Sequence, residues 1–513
     1  MAIVTPIDTL PGERRRLRLA SPATGETIGE IEVQNSYDVA AALKAARKAQ
    51  PEWAARSIDE RARYLTRAVD VLVDRQDEFI EVVLRESGKP QSEALMMEIF
   101  VACDVLTYYA KHAKEVLRTE KRSLHGVMRF LKQLQIEYRP LGVVGVISPW
   151  NGPFVLSLNP TIQALLAGNA VLLKPSEITP YSGKLVGDLF EAVGLPDGVL
   201  TVLLGDGETG AAVVEAGVDK ISFTGSVETG RAVGVACARQ LIPCTLELGG
   251  KDPMIVCEDA HLDNAAGGAV AGAFCNSGQI CCGTERVYVP DEIAEEFTSK
   301  VVERVGRLRQ GDGGEFDIGA IFSDRQLEII EKHVEDAIAK GATVLAGGRR
   351  NPDLDGLYFE PTVLSNVDHG MLVMQAETFG PVLPIMRVRD VDEAVHLANQ
   401  TSFGLGATVW TRNKRRGREL AQRLHAGTTC VNDMTLTYGV LEAPFGGRKS
   451  SGVGQVNGGP ISIRGFTHAQ PIVTDRFGGR VTAGLYPYTF KNDAVMQRLI
   501  RILYHSPLGR WLS

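Results

Sequence analysis

LGVVGVISPW, residues 141–150, is an apolar run without alternation that stops at a Pro-Trp turn. A parallel strand covered on both faces has this pattern. Downstream, NAVLLKP (169–175) reads as a second strand and GKLVGDLFEAVG (183–194) as a helix. VLTVLLG (199–205), AAVVEAG (211–217) and DKISFTG (219–225) follow as strand, helix and strand. This alternation predicts a doubly wound α/β sheet. Upstream, residues 38–75 and 77–118 are rich in Ala, Leu, Glu and Arg at helical spacing. Near residue 250 a second α/β unit begins, with a helix over 263–274 (DNAAGGAVAGAF), a strand over 286–290 (RVYVP) and a helix over 295–308. MRFLKQLQIEY (128–138) reads as a strand pair or ribbon, and 460–474 as extended.

A chain of 513 residues predicts two to four domains at roughly 100–200 residues each. The formal net charge of -7 gives no electrostatic reason to expect a nucleic-acid partner. The cluster Arg14–Arg16 reads as a solvated face. Eight cysteines without a C-x-x-C pair are no disulfide framework, and nine histidines without H-E-x-x-H spacing predict no metal site. The N-terminus lacks an apolar targeting core, and no long apolar run occurs. The expected location is the reducing cytoplasm.

Two segments carry chemistry. Glu247 lies in TLELGGKDP, and Cys281 lies 34 positions on in CNSGQICCGTERV. A thiolate attacks carbonyl carbon, and a carboxylate beside it takes a proton from water, so the pair can form and hydrolyse an acyl adduct on sulfur. Of the rivals, Cys275 ends an apolar helix and reads as core, and Cys282 falls one step past the motif position. GDGETG (205–210) matches G-x-G-x-x-G, but three glycines among 54 arise readily at turns. FTGSVETG (223–230) is the better candidate.

These segments together resemble the aldehyde dehydrogenase superfamily, over residues 20–474. The resemblance implies that Cys281 is the nucleophile, Glu247 the base that hydrolyses the thioester, and Asn151 in SPWNGPF the oxyanion donor with the Cys281 N–H. It implies an NAD site, with NADP as the alternative, from Lys174 and Glu177 of LLKPSE, Gly225, Ser226 and Gly230, Glu377 and Phe379 of ETFGPV, and Trp150. Glu177 near the ribose 2′-hydroxyl favours NAD. The expected fold is then a Rossmann-like cofactor domain (1–121 and 142–249), a second α/β catalytic domain (250–443), and a small extended oligomerisation ribbon (122–141 and 455–474). The last implies a homodimer or homotetramer. After APFGGRKSSGVG (443–454) this chain has Gln455-Val456 where many relatives continue with Arg-Glu.

Val155, Leu156, Ile280, Met434, Tyr438 and Phe445 are tunnel candidates, mostly apolar, which points to an aliphatic or aromatic aldehyde. A semialdehyde dehydrogenase, such as one for succinic semialdehyde, is the alternative enzyme, and a silent binding protein on the same fold the alternative class. The C-terminal extension 475–513 contains a basic amphipathic segment, 492–505, with Asn492 as its expected cap and apolar Val495, Met496, Leu499, Ile502 and Leu503. Docking on protein is the favoured reading for it, and a peripheral membrane contact the other.

Overall fold

A computed structural model of the chain describes residues 2–7, 13–434, 438–479, 489–505 and 507. Its first large sheet runs in the order Gly452–Val453, Cys244–Glu247, Lys220–Thr224, Val143–Ile147, Ala170–Lys174, Leu200–Val202. Every pairing is parallel except that of Gly452–Val453 at the edge. Alternate residues of the central strands serve two cores. Val143, Ile147, Ala170 and Leu172 pack with Val39 and Ala46, while Val144, Val146, Val171 and Leu173 pack with Leu158 and Ile162. Helices therefore cover both faces, which is why these strands read as unbroken apolar runs. The strand order reverses beside Val143–Ile147, with Ala170–Lys174 on one side and Lys220–Thr224 on the other. A crevice at the carboxyl ends of the strands is the consequence of such a reversal.

The second sheet runs Thr343–Ala346, Thr362–Ser365, Val382–Val388, Thr284–Pro290, Asp252–Val256, Thr408–Trp410, Cys430–Val431. It is parallel apart from the edge strand Thr343–Ala346. A third sheet joins Thr467–Asp475 to Lys132–Pro140 and that strand to Glu120–Arg122, all antiparallel.

Four local expectations are corrected. Met128–Leu131 is one helical turn, and the strand begins only at Lys132, where the alternation of K-Q-L-Q-I-E-Y starts. Pro460–Arg464 is helical, with its proline in the first turn where a missing N–H costs nothing, so the extended part of 460–474 begins at Thr467. The N-terminal residues form an antiparallel meander, Val4–Ile7, Arg16–Ala20 and Thr27–Glu32, which the sequence reading missed. Helix Phe490–His505 starts before Asn492, whose N–H is received by Thr489 Oγ1 at 3.2 Å, so Thr489 and not Asn492 occupies the cap. No residue of that helix is buried against the described residues.

The cluster Arg14–Arg16 lies on an exposed face, paired with Asp38, Asp206 and Glu30. All eight cysteines are free thiols. Among the described residues no helix is long and apolar enough to cross a membrane, and no group of His, Cys, Asp and Glu could hold a metal ion.

Candidate active site

The chemistry-bearing residues cluster where the parallel strands of the first sheet end. Trp150 and Asn151 follow Val143–Ile147, Lys174 closes Ala170–Lys174, Gly225 and Ser226 follow Lys220–Thr224, and Glu247 closes Cys244–Glu247. Cys281 arrives from the second half. Helix Leu262–Phe274 stops, the backbone turns left-handed at Asn276, Ser277 and Gly278 (φ 53°, 54° and 73°), and the thiol follows. Two non-glycine residues in that region are strained and need support from their surroundings. The support is visible. Asn276 donates its N–H to Glu93 Oε1 at 2.7 Å and its Nδ2 to the Asn151 carbonyl at 3.0 Å. Gln279 donates to Asn276 O at 3.0 Å and Ala320 O at 3.2 Å.

Asn151 Nδ2 lies 3.0 Å from the Gln279 carbonyl, so the amide is held within two residues of Cys281. Its own carbonyl accepts from Lys89 Nζ at 3.3 Å. Lys89 in turn pairs with Glu98 Oε1 at 3.0 Å, and Glu98 Oε2 accepts the Val155 N–H at 2.9 Å. Both side chains are fully buried. Glu98 is delivered by a π-helical stretch, Ala94–Phe100, a distortion that widens the turn and re-aims side chains. Glu93, just before it, braces the nucleophile loop. Sequence reasoning missed Lys89, Glu93, Glu98 and Asn276, because Lys and Glu read as surface residues unless a partner is known.

Glycines bring the halves together. A Cβ on Gly250 would collide with the Cys281 carbonyl oxygen, and one on Gly249 with the Glu377 carboxylate. Gly250 also donates its N–H to Glu377 Oε1 at 2.9 Å. Beside this crossing Lys251 is buried on Glu285 and Thr378, and Glu285 also accepts the N–H of Thr378 and of Phe379.

Burial pushes the Glu247 carboxyl up to about 8, with the Cys281 thiol pulling it back and Asp252 adding to the rise. One Glu247 oxygen, Oε1, is buried without a hydrogen-bond partner. The Cys281 thiol is raised well above its ordinary value by the adjacent Cys282 thiol, by burial and by Glu247. Burial thus favours the neutral form of both groups, while Glu247 further disfavours the thiolate and the thiol hydrogen bond supports the carboxylate.

The candidate cofactor residues surround the same crevice. Lys174 Nζ lies 2.9 Å from Glu177 Oε2. Ser226 caps helix Val227–Gln240: its Oγ accepts the Thr229 N–H at 3.3 Å and donates to Thr229 Oγ1 at 3.0 Å. A Cβ on Gly230 would collide with Leu248, so this glycine sets the approach of helix to strand. Trp150 meets Phe379 edge-on at 5.4 Å, and Phe379 has a left-handed backbone (φ 50°). Glu377 is pushed up to about 8, first by burial and then by Glu285. A cation–carboxylate pair, a helix N-terminus, a buried carboxyl and two aromatic faces along one crevice fit the ribose, pyrophosphate and ring of a nicotinamide dinucleotide.

On the other side of Cys281, Ile280, Tyr438 and Val456 pack with Cys282, Leu405 and Phe445. Tyr438 stacks edge-on against Phe445 at 5.2 Å. Of the tunnel candidates, Val155 is buried at the start of its helix, and Met434 approaches Gly272. This wall is more polar than expected. Tyr438 OH accepts from Asn159 at 3.2 Å, Asn159 donates to Asn457 at 2.8 Å, and Tyr109 donates to Asn457 at 3.3 Å.

The aldehyde dehydrogenase family profile matches residues 10–472. A 4,4′-diapolycopene aldehyde oxidase of a Methylomonas species is 40% identical over 91% of this chain and 88% of its own length. A chain of Mycolicibacterium smegmatis, provisionally named succinate-semialdehyde dehydrogenase [NADP(+)], is 42% identical over 88% and 87%. The solved Mycobacterium tuberculosis aldehyde dehydrogenase complexed with NAD+ superposes with a TM-score of 0.86 at 34% identity, covering 92% of this chain and 97% of that one. With Cys281, Glu247 and Asn151 gathered at one crevice, the chain belongs to the aldehyde dehydrogenase family.

Proposed function

We propose that the chain oxidises an aldehyde without a distal charge to its carboxylic acid, with NAD preferred over NADP. The observation that carries this is the buried Glu247 carboxyl, at the end of strand Cys244–Glu247, set against the Cys281 thiol. Glu247, ionised above about 8, takes the thiol proton as sulfur bonds to the aldehyde carbon and releases it to solvent before the next step. The carbonyl oxygen becomes an alkoxide facing the Asn151 amide and the Cys281 N–H. A bound nicotinamide supplies the acceptor for the hydride that leaves this carbon. Collapse of the alkoxide leaves a thioester on Cys281. Glu247 then deprotonates water, the hydroxide adds to the thioester, and the C–S bond breaks to release the acid. Relatives that pass the acyl group to a thiol typically lack this glutamate.

Among the described residues, the engagement of two buried lysines supports an uncharged substrate. Lys89 and Lys251, the buried lysines nearest the site, are each engaged by a carboxylate. In this reading 1–121 with 142–249 is the cofactor domain and 250–443 the catalytic domain. Strand Thr467–Asp475, an edge of the third sheet with Val473 exposed, pairs with a second copy in a homodimer or homotetramer. Eight free thiols fit the cytoplasm. The test is NADH absorbance over aldehydes of graded length and charge. Turnover rising with apolar length supports the reading. A clear preference for succinic semialdehyde would replace it with the semialdehyde activity, and no turnover of any aldehyde would contradict both.

A further inference from the structure

The strand Thr467–Asp475 leads out of the family region into a C-terminal extension that the catalytic machinery does not use. Residues 475–513 carry six Lys and Arg against two Asp, in a chain whose net charge is -7. Within it, helix Phe490–His505 has no buried residue. Val495, Met496, Leu499 and Ile500 are 63%, 52%, 41% and 50% exposed. At about 100° per residue they fall with Leu503 on one arc. Lys491, Arg498, Arg501 and His505 fall together on the far arc, Arg501 opposite the apolar centre, and the one acidic residue of the helix, Asp493, lies at the other edge of the apolar arc.

A second feature lies at the root of the extension. Arg476 donates its N–H to the Leu131 carbonyl and its Nε to the Lys132 carbonyl, each at 3.0 Å, which seats it on the turn Met128–Leu131. Around it Met128, Phe130 and Phe477 are 51%, 53% and 46% exposed. Large apolar side chains beside a cation thus recur at both ends of the described part of the extension. An apolar arc with cations on the far arc fits the boundary between acyl chains and anionic headgroups.

We infer that helix Phe490–His505 seats the enzyme on an anionic phospholipid surface, apolar arc inward and Lys491, Arg498 and Arg501 at the headgroups. This stands independently of the proposed substrate. Its consequence is that aldehydes dissolved in the bilayer become accessible at the interface.

The test is co-sedimentation of the full-length enzyme with vesicles of phosphatidylglycerol and phosphatidylcholine, or of phosphatidylcholine alone, at low and high salt. The full chain is expected to pellet with the anionic vesicles, at least about tenfold less with neutral ones, and less at high salt. Arg498→Glu with Arg501→Glu, and separately Leu499→Asp, should abolish pelleting while leaving turnover of a water-soluble aldehyde unchanged, which shows that the variants fold. Full-length enzyme that stays in the supernatant with anionic vesicles overturns the inference. So does equal pelleting of the double variant, or a smaller assembly by light scattering on deleting residues 490–513 without any vesicle binding before it. That last result would assign the helix to a subunit contact.

Discussion

Asn151 and Gln279 are joined across the two halves of the chain, the Nδ2 of one 3.0 Å from the carbonyl oxygen of the other. The amide proposed to face the developing alkoxide therefore takes its position from the loop that carries Cys281. Any change that shifts this loop should appear as lost transition-state stabilisation before it appears as lost cofactor binding.

Cys281→Ser should abolish aldehyde oxidation, because a serine hydroxyl is not ionised by a neighbouring carboxylate at neutral pH. Cys282→Ser should keep most of the activity, since Cys282 packs with Leu405 and Phe445. Steady-state NADH formation checks both, and a fatal Cys282→Ser beside an active Cys281→Ser would reassign the nucleophile.

Lys89→Ala should destabilise the fold by about 3–5 kcal/mol, the usual cost of leaving one member of a buried ion pair alone. In Lys89→Met combined with Glu98→Met, thermal stability should recover while kcat stays low, because the hold on the Asn151 carbonyl and the Val155 N–H is gone. Recovery of both would make the pair structural only.

Glu177→Gln should raise NADP use relative to NAD by about tenfold, equal to ~1.4 kcal/mol. It removes the carboxylate proposed to face the 2′-position and takes from Lys174 the partner it holds at 2.9 Å. Initial rates with each cofactor measure it, and an unchanged ratio would move cofactor selection elsewhere.

Activity should rise as pH passes through about 8, where the buried Glu247 carboxyl ionises. Stability should move the other way. The folded-state value lies above the ordinary 4.5, so the neutral form's contribution is complete below 4.5 and is lost as pH climbs through about 8. Glu247→Gln should flatten the activity rise and become more stable than wild type at the alkaline end. A wild-type rate independent of pH across this interval would contradict the assignment.

Much of this site is legible in the sequence for a physical reason. A doubly wound sheet presents its strand ends, so SPWN, LLKPSE, FTGS and TLELGG each announce a strand by their apolar run and a site by the polar residue that follows. The bracing is not legible. Nothing in GKPQSEALMMEIF tells a buried Lys89–Glu98 pair from a solvated helix face, because the π-helical widening that turns Glu98 inward leaves no periodic trace. The polar wall of Tyr438, Asn159 and Asn457 escaped because Asn159 lies 279 and 298 residues from its two partners. Short elements such as Met128–Leu131 hold too few residues to establish a period.

The most direct measurement of the central claim, that Glu247 is the base that frees the acid from Cys281, is stopped-flow NADH formation in Glu247→Gln. The expected trace is a burst approaching one NADH per active site, followed by turnover slowed by orders of magnitude, with the thioester trapped on Cys281 and visible as added mass on the protein. Loss of the burst in step with the steady state, with no adduct on Cys281, would contradict it and confine Glu247 to activating the thiol.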